Sequence, residues 1–110
     1  MSKCTNVVRF RVSSGQQEGF ERTFKATYKW DGIMMHVLAK TGEQSYVAYG
    51  LWEREEDMQT AMPKMIALLD SSRHLFEELS PHLGVTDPVS GTVVFEVWDK
   101  KKDWINPVLF

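Results

Sequence analysis

One cysteine, no apolar run near the length of a membrane span and no block of like charge: these absences remove most of the broad classes open to a chain of 110 residues. The lone Cys4 has no partner for an internal disulfide, so the chain is no disulfide scaffold, and the thiol reads as an unreactive one near the terminus. A helix crossing a bilayer needs about 20 consecutive apolar residues, and no stretch here approaches that. With 13 basic and 15 acidic side chains the net charge is −2 and there is no basic stripe, which disfavours nucleic acid as a partner. The chain also lacks a histidine pair at helical spacing, a cysteine pair, an acidic ligand loop, a glycine-rich phosphate loop and a Gly-flanked serine elbow. Neither metal nor nucleotide chemistry is signalled. The opening Met1 to Thr5 carries no apolar leader, so the expectation is a cytoplasmic protein.

What is present is globular: 43% hydrophobic and 25% charged residues, enough for one domain that buries roughly 60 to 70% of its unfolded surface. Val7 to Val12 alternates, with Val8, Phe10 and Val12 on one side and Val7, Arg9 and Arg11 on the other, which predicts a half-buried strand. Ser14 with Gln17 three residues on fits a capping box, and Phe20, Phe24 and Tyr28 then recur every four residues, an aromatic helical stripe suited to lying on a sheet. Trp30-Asp31-Gly32 stops that helix, and Ile33 to Lys40 and Ser45 to Trp52 read as a β-hairpin about the polar turn Thr41 to Gln44.

The acidic run Glu53 to Asp57 suits a helix N-terminus, and Met58, Ala61, Met62, Met65, Leu68 and Leu69 continue it as an amphipathic helix. Pro63 predicts a break there, with a new helix starting around it, and a further helical turn is expected over Arg73 to Leu79. Gly84 to Gly91 carries turn chemistry and reads as an exposed loop, leaving Thr92 to Trp98 as the fourth strand. The domain then spans residues 1–98, and the apolar tail in 99–110 is expected to dock on its own domain or on a partner.

This order is the split β-α-β signature written twice: an α+β, ferredoxin-like βαββαβ domain with a four-stranded antiparallel sheet and helices on one side. The other sheet face would be a partly apolar patch, and a second copy of the chain is its natural cover. Together with the phrase Tyr49-Gly50-Leu51-Trp52-Glu53 leading into the long helix, and a second strand starting just after Gly32, the order resembles the antibiotic biosynthesis monooxygenase-like family. The resemblance spans roughly residues 6–98. It implies a dimeric α+β barrel in which two ferredoxin-like subunits join their sheets, and an oxidoreductase activity on a small aromatic, quinol or polyketide-like substrate with no cofactor. Asn6 also resembles an asparagine of the haem-degrading branch. The Trp and His that this branch carries along its long helix correspond here to Ala61 and Ser71, and His74 is three residues out of phase, so haem ligation is not implied.

An oxygenase without a cofactor needs a base, polar anchors and a dry pocket. His36, mid-strand among Met34, Met35, Val37 and Leu38, is the candidate base; the same residue also fits a strand histidine satisfied by a backbone carbonyl. His74 and His82 read as surface residues. Arg9 and Arg11 share a face that Glu96 would join from the fourth strand, as a salt-bridge ladder or, in a cavity, as anchors for an oxyanion. Parity groups Tyr46 with Trp52 and leaves open which face they occupy; with Trp98 they complete the candidate substrate-binding set. The alternative reading is a non-catalytic dimeric module that binds a hydrophobic small molecule or supports assembly.

Overall fold

The computed structural model describes residues 2–25 and 30–98. The chain runs β1 (Cys4–Val12), α1 (Gln17–Lys25), β2 (Ile33–Lys40), β3 (Ser45–Trp52), α2 (Glu55–Ser72), a short 3-10 turn (Arg73–Leu75), β4 (Phe76–Glu77) and β5 (Thr86–Thr92). All pairings are antiparallel. β3 joins β2 to β1, and the far edge of β1 is shared by β4, opposite Arg11 and Val12, and by β5, opposite Cys4 to Phe10. This is the ferredoxin-like α+β arrangement read from the sequence, but with five strands in the sheet rather than the expected four, because the two-residue β4 adds to the edge of β1 beside β5.

The alternation of β1 decides which face is core. Phe10 and Val12 are buried beneath α1 and meet Phe20, Tyr46 and Phe76; Phe10 lies edge-on to Phe20 at 5.2 Å and stacks on Phe76 at 5.0 Å. Edge-to-face and offset rings are the favoured geometries for such a cluster. A second cluster, Cys4, Trp52, Met58 and Ala61, sits under the start of α2. Burial first, then the carboxylates of Glu55 and Asp57, pushes the Cys4 thiol up, and its Sγ lies 3.8 Å from Met58 Sδ.

Four local expectations are corrected. The last strand is Thr86–Thr92 rather than Thr92 to Trp98, so the Gly84 to Gly91 stretch is largely strand instead of loop. Its composition is poor for a strand, but the free edge of β1 supplies the ladder, and Pro88 is tolerated because β5 is itself an edge. Beyond Thr92 the Val93 N–H still donates to the Lys3 carbonyl, at 2.9 Å. α2 is continuous from Glu55 to Ser72: Pro63 is exposed, so the Gln59 carbonyl it leaves unbonded remains open to water. Arg73 to Leu79 is one 3-10 turn followed by β4, because Phe76 is drawn out of helix into the aromatic core. α1 starts at Gln17, later than a Ser14 cap would place it, and Gln17 Oε1 accepts the Gly15 N–H at 2.7 Å in the turn before the helix. Tyr28, the third aromatic of the α1 stripe, and the tail in 99–110 lie outside the described residues. No helix among the described residues is long and apolar enough to cross a membrane.

Candidate functional site

α1 stands over β1 and β3, where Phe20 meets Phe10 and Tyr46, and a gap opens between it and the edge strand β2. The gap is a cleft of about 480 Å³ lined by Glu21, Phe24 and Lys25 from α1, His36, Leu38 and Lys40 from β2, and Tyr46 from β3. The register explains why these side chains meet: His36 pairs with Gly50, Leu38 with Ala48 and Lys40 with Tyr46, which sets His36, Leu38 and Lys40 on the helix-facing side.

His36 lies between two aromatic rings, Phe24 at 5.0 Å and Trp30 at 5.3 Å. Burial lowers its pKa from the usual 6.5, so the imidazole is neutral at pH 7. It has no side-chain hydrogen-bond partner among the described residues, so the backbone-carbonyl contact anticipated as one explanation of a strand histidine is not found there. A neutral ring with an unclaimed nitrogen can accept a proton. Tyr46 Oη donates to Glu21 Oε2 at 2.6 Å, and burial together with that carboxylate holds the phenol well above its usual range. The hydroxyl therefore stays protonated and its proton is committed to Glu21.

Behind this wall is a support layer. Trp52 is fully buried and stacks on Trp30 at 6.2 Å, and its indole N–H donates to Asn6 Oδ1 at 2.6 Å. Gly50 makes this bond possible. A Cβ there would run into Asn6 Oδ1 and come within 3.0 Å of Trp52 Nε1. Gly50→Ala should therefore displace the Asn6–Trp52 pair and destabilise the fold by about 1–3 kcal/mol, the usual cost of overpacking. Thermal unfolding with the tryptophan emission as a second signal checks this; an unchanged Tm and spectrum would show that the pair does not depend on the glycine.

The residues anticipated from sequence separate into groups. His36 and Tyr46 line the same cleft; Trp52 shares their face but is sealed beneath it. Arg9 and Arg11 occupy the opposite face by the parity of β1, away from His36. Arg9 pairs with Asp87 at 2.6 Å, and Glu96 pairs with Lys3 at 2.5 Å, so the expected Arg9–Arg11–Glu96 ladder does not form. The register of β5 is the reason: it brings Asp87 opposite Arg9, and Glu96 falls past the strand. Trp98 donates to Glu96 at 3.1 Å in the exposed segment after β5. Glu21, Lys25, Lys40 and Trp30 lie outside the set anticipated from sequence, and Phe24, expected to pack on the sheet, also lines the cleft. The i,i+4 spacing of Glu21 and Lys25 places both on one side of α1, but nothing in the sequence aims that side at β2.

No family model matches this chain, and no curated protein matches it in sequence. Solved structures do. A provisionally assigned antibiotic biosynthesis monooxygenase from Chloroflexus aurantiacus superposes with a TM-score of 0.68 at 13% identity, over 88% of this chain and 98% of that one. A mutant of SnoaB, a cofactor-independent oxygenase from Streptomyces nogalater, gives 0.65 at 21% identity over 90% and 100%. A dimeric ferredoxin-like protein from an uncultured marine organism gives 0.67 at 16% identity over 91% and 95%. The chain thus has the fold shared by antibiotic biosynthesis monooxygenase-like proteins, as the order of its elements suggested.

Proposed function

We propose that this protein is a cofactor-independent monooxygenase of small aromatic, quinol or polyketide-like molecules, and that the cleft under α1 is its site. The observation that carries the reading is the neutral, unclaimed imidazole of His36 held between Phe24 and Trp30 on the wall of a cleft large enough for a fused-ring molecule. The fold it shares with a cofactor-independent oxygenase supports it.

An anthrone illustrates the chemistry. His36 takes a proton from the ring CH₂, and the resulting carbanion passes one electron to O₂. Recombination of superoxide with the carbon radical forms a C–O bond. Loss of the distal oxygen as hydroxide, with the second C–H proton removed and the proton on His36 returned, yields a quinone carbonyl and one water. One O₂ is consumed, and the substrate supplies all the electrons. Phe24 and Leu38 offer the ring an apolar surface, and the Tyr46–Glu21 hydrogen bond ties α1 to β3 in the lining. Oxygen uptake by the purified protein over anthrones and hydroquinones, corrected for autoxidation, tests this. Binding without protein-dependent uptake across that panel would favour the non-catalytic binding module.

The protein is further proposed to act as a homodimer through the open face of its sheet. Val37, Tyr49, Val7 and Val89 form a row across four strands on that face, and Val37 and Val89 are exposed. Next to the sheet, Val94, Phe95 and Val97 are 94%, 80% and 81% exposed. Apolar surface of this extent marks an interaction site, and a dimeric protein of the same fold supports a second copy as the cover. In that arrangement Arg9 and Arg11 lie at the subunit boundary. Light scattering at micromolar concentration should give twice the chain mass; a monomer would overturn the assignment.

A further inference from the structure

The cleft is asymmetric in charge. Lys25 reaches it from α1 and Lys40 from β2, so cations stand on two different walls. Lys3, Arg9, Arg22, Arg54 and Arg73 all pair with carboxylates, whereas Lys25 and Lys40 form no ion pair among the described residues. Lys40 Nζ lies 6.0 Å from the centre of the Tyr46 ring, at the outer limit of a cation–π contact, so it stays tethered near the cleft without being neutralised. Among the described residues one carboxylate, Glu21, lines the cleft, and it already accepts the Tyr46 hydroxyl; the charge of Glu43, from the β2–β3 turn, also reaches that phenol. The described lining thus carries two lysines against one carboxylate, beside a neutral His36, with Glu43 acting on Tyr46 from outside the lining. A lysine ending an edge strand blocks edge-to-edge pairing, which accounts for Lys40 alone but not for a second lysine on the helix wall.

We infer that the cleft selects aromatic molecules bearing a carboxylate, with the rings against Phe24 and Leu38 and the carboxylate held at the mouth by Lys25 and Lys40. This rests on the proposed site and adds the substrate class. Apolar walls give the ring system affinity without direction, and the lysines fix which edge points outward. The other edge, carrying the reactive CH₂ or hydroxyl, then points toward His36.

The test is a binding comparison that needs no turnover. Anthraquinone-2-carboxylate and its neutral carboxamide are titrated against the protein at low ionic strength, following tryptophan quenching. The carboxylate should bind about tenfold more tightly, with the gap narrowing as salt is added, as expected for charge-assisted contacts to partly exposed lysines. In the double variant Lys25→Gln/Lys40→Gln the gap should close while the carboxamide affinity stays, and Lys64→Gln, an exposed lysine outside the cleft, should keep it. Equal affinities in the parent protein, a preference that survives in the double variant, or no binding of either probe would overturn the inference. Carboxylate preference without oxygen uptake would sink the oxygenase reading alone. His36-dependent uptake without that preference would sink the lysine assignment alone.

Discussion

Trp52→Ala is expected to destabilise the domain by about 3–5 kcal/mol, the range for removing a large buried aromatic. In a domain of this size that corresponds to a Tm lower by well over ~10 °C. The residue is fully buried, fills the second core cluster beside Cys4, Met58 and Ala61, stacks on Trp30 and donates its N–H to Asn6. Its loss removes all of these at once. Trp52→Phe separates the parts: it keeps most of the apolar contact but leaves Asn6 Oδ1 without its donor, and should cost about 1–3 kcal/mol. Thermal and denaturant unfolding of both variants checks the order. Equal, small effects would mean that this cluster does not anchor β1, β3 and α2 together. Because Trp30 flanks His36, Trp52→Ala should also disturb the cleft, visible as weaker quenching by an aromatic ligand.

His36→Ala is expected to lower protein-dependent oxygen uptake by about 10²- to 10⁴-fold, the usual contribution of a positioned general base. Its effect on the fold should be small, since the ring lines an open cleft and makes no side-chain hydrogen bond among the described residues. Circular dichroism should therefore match the parent protein. An uptake rate within a few-fold of the parent would remove His36 from the mechanism. The pH profile gives an independent check: the active form is the neutral imidazole, so the parent rate should rise through an apparent pKa below 6.5 and be level at neutral pH. Stability follows the same sign. The folded-state pKa is depressed, so the unfolded chain binds the proton more readily. His36 therefore begins to destabilise the fold as pH falls below about 6.5, and this contribution stops growing once pH is below the folded-state value. His36→Ala should flatten that part of the stability curve.

The residues that pack together were the ones most legible in the sequence. Period-two alternation in Val7 to Val12 named Phe10 and Val12 as one face, and four-residue spacing named Phe20 and Phe24, because burial of one face writes a repeat that any reader of the chain can find. Parity likewise grouped Tyr46 with Trp52. Where local signals failed, a neighbour supplied what the segment lacked. Thr86–Thr92 carries a proline, a glycine and few strand formers, yet pairs along seven residues because the edge of β1 was open. Phe76 left a helical pattern for the aromatic cluster, and Pro63 was absorbed on the solvent side of α2.

The cleft belongs to the second category. Glu21, Lys25, His36, Lys40 and Tyr46 come from three elements, and no spacing within any one of them predicts that they share a space. The sequence by itself determined the order of the first five elements, the layer of helices over an antiparallel sheet and the inward face of β1, since those follow from periodic apolar burial along the chain. Only the tertiary structure decided which strand completes the sheet, which carboxylates the arginines reach, and that a cleft opens between α1 and β2 beside His36. Those outcomes depend on register and on how far one element extends over another, quantities fixed by packing between distant segments.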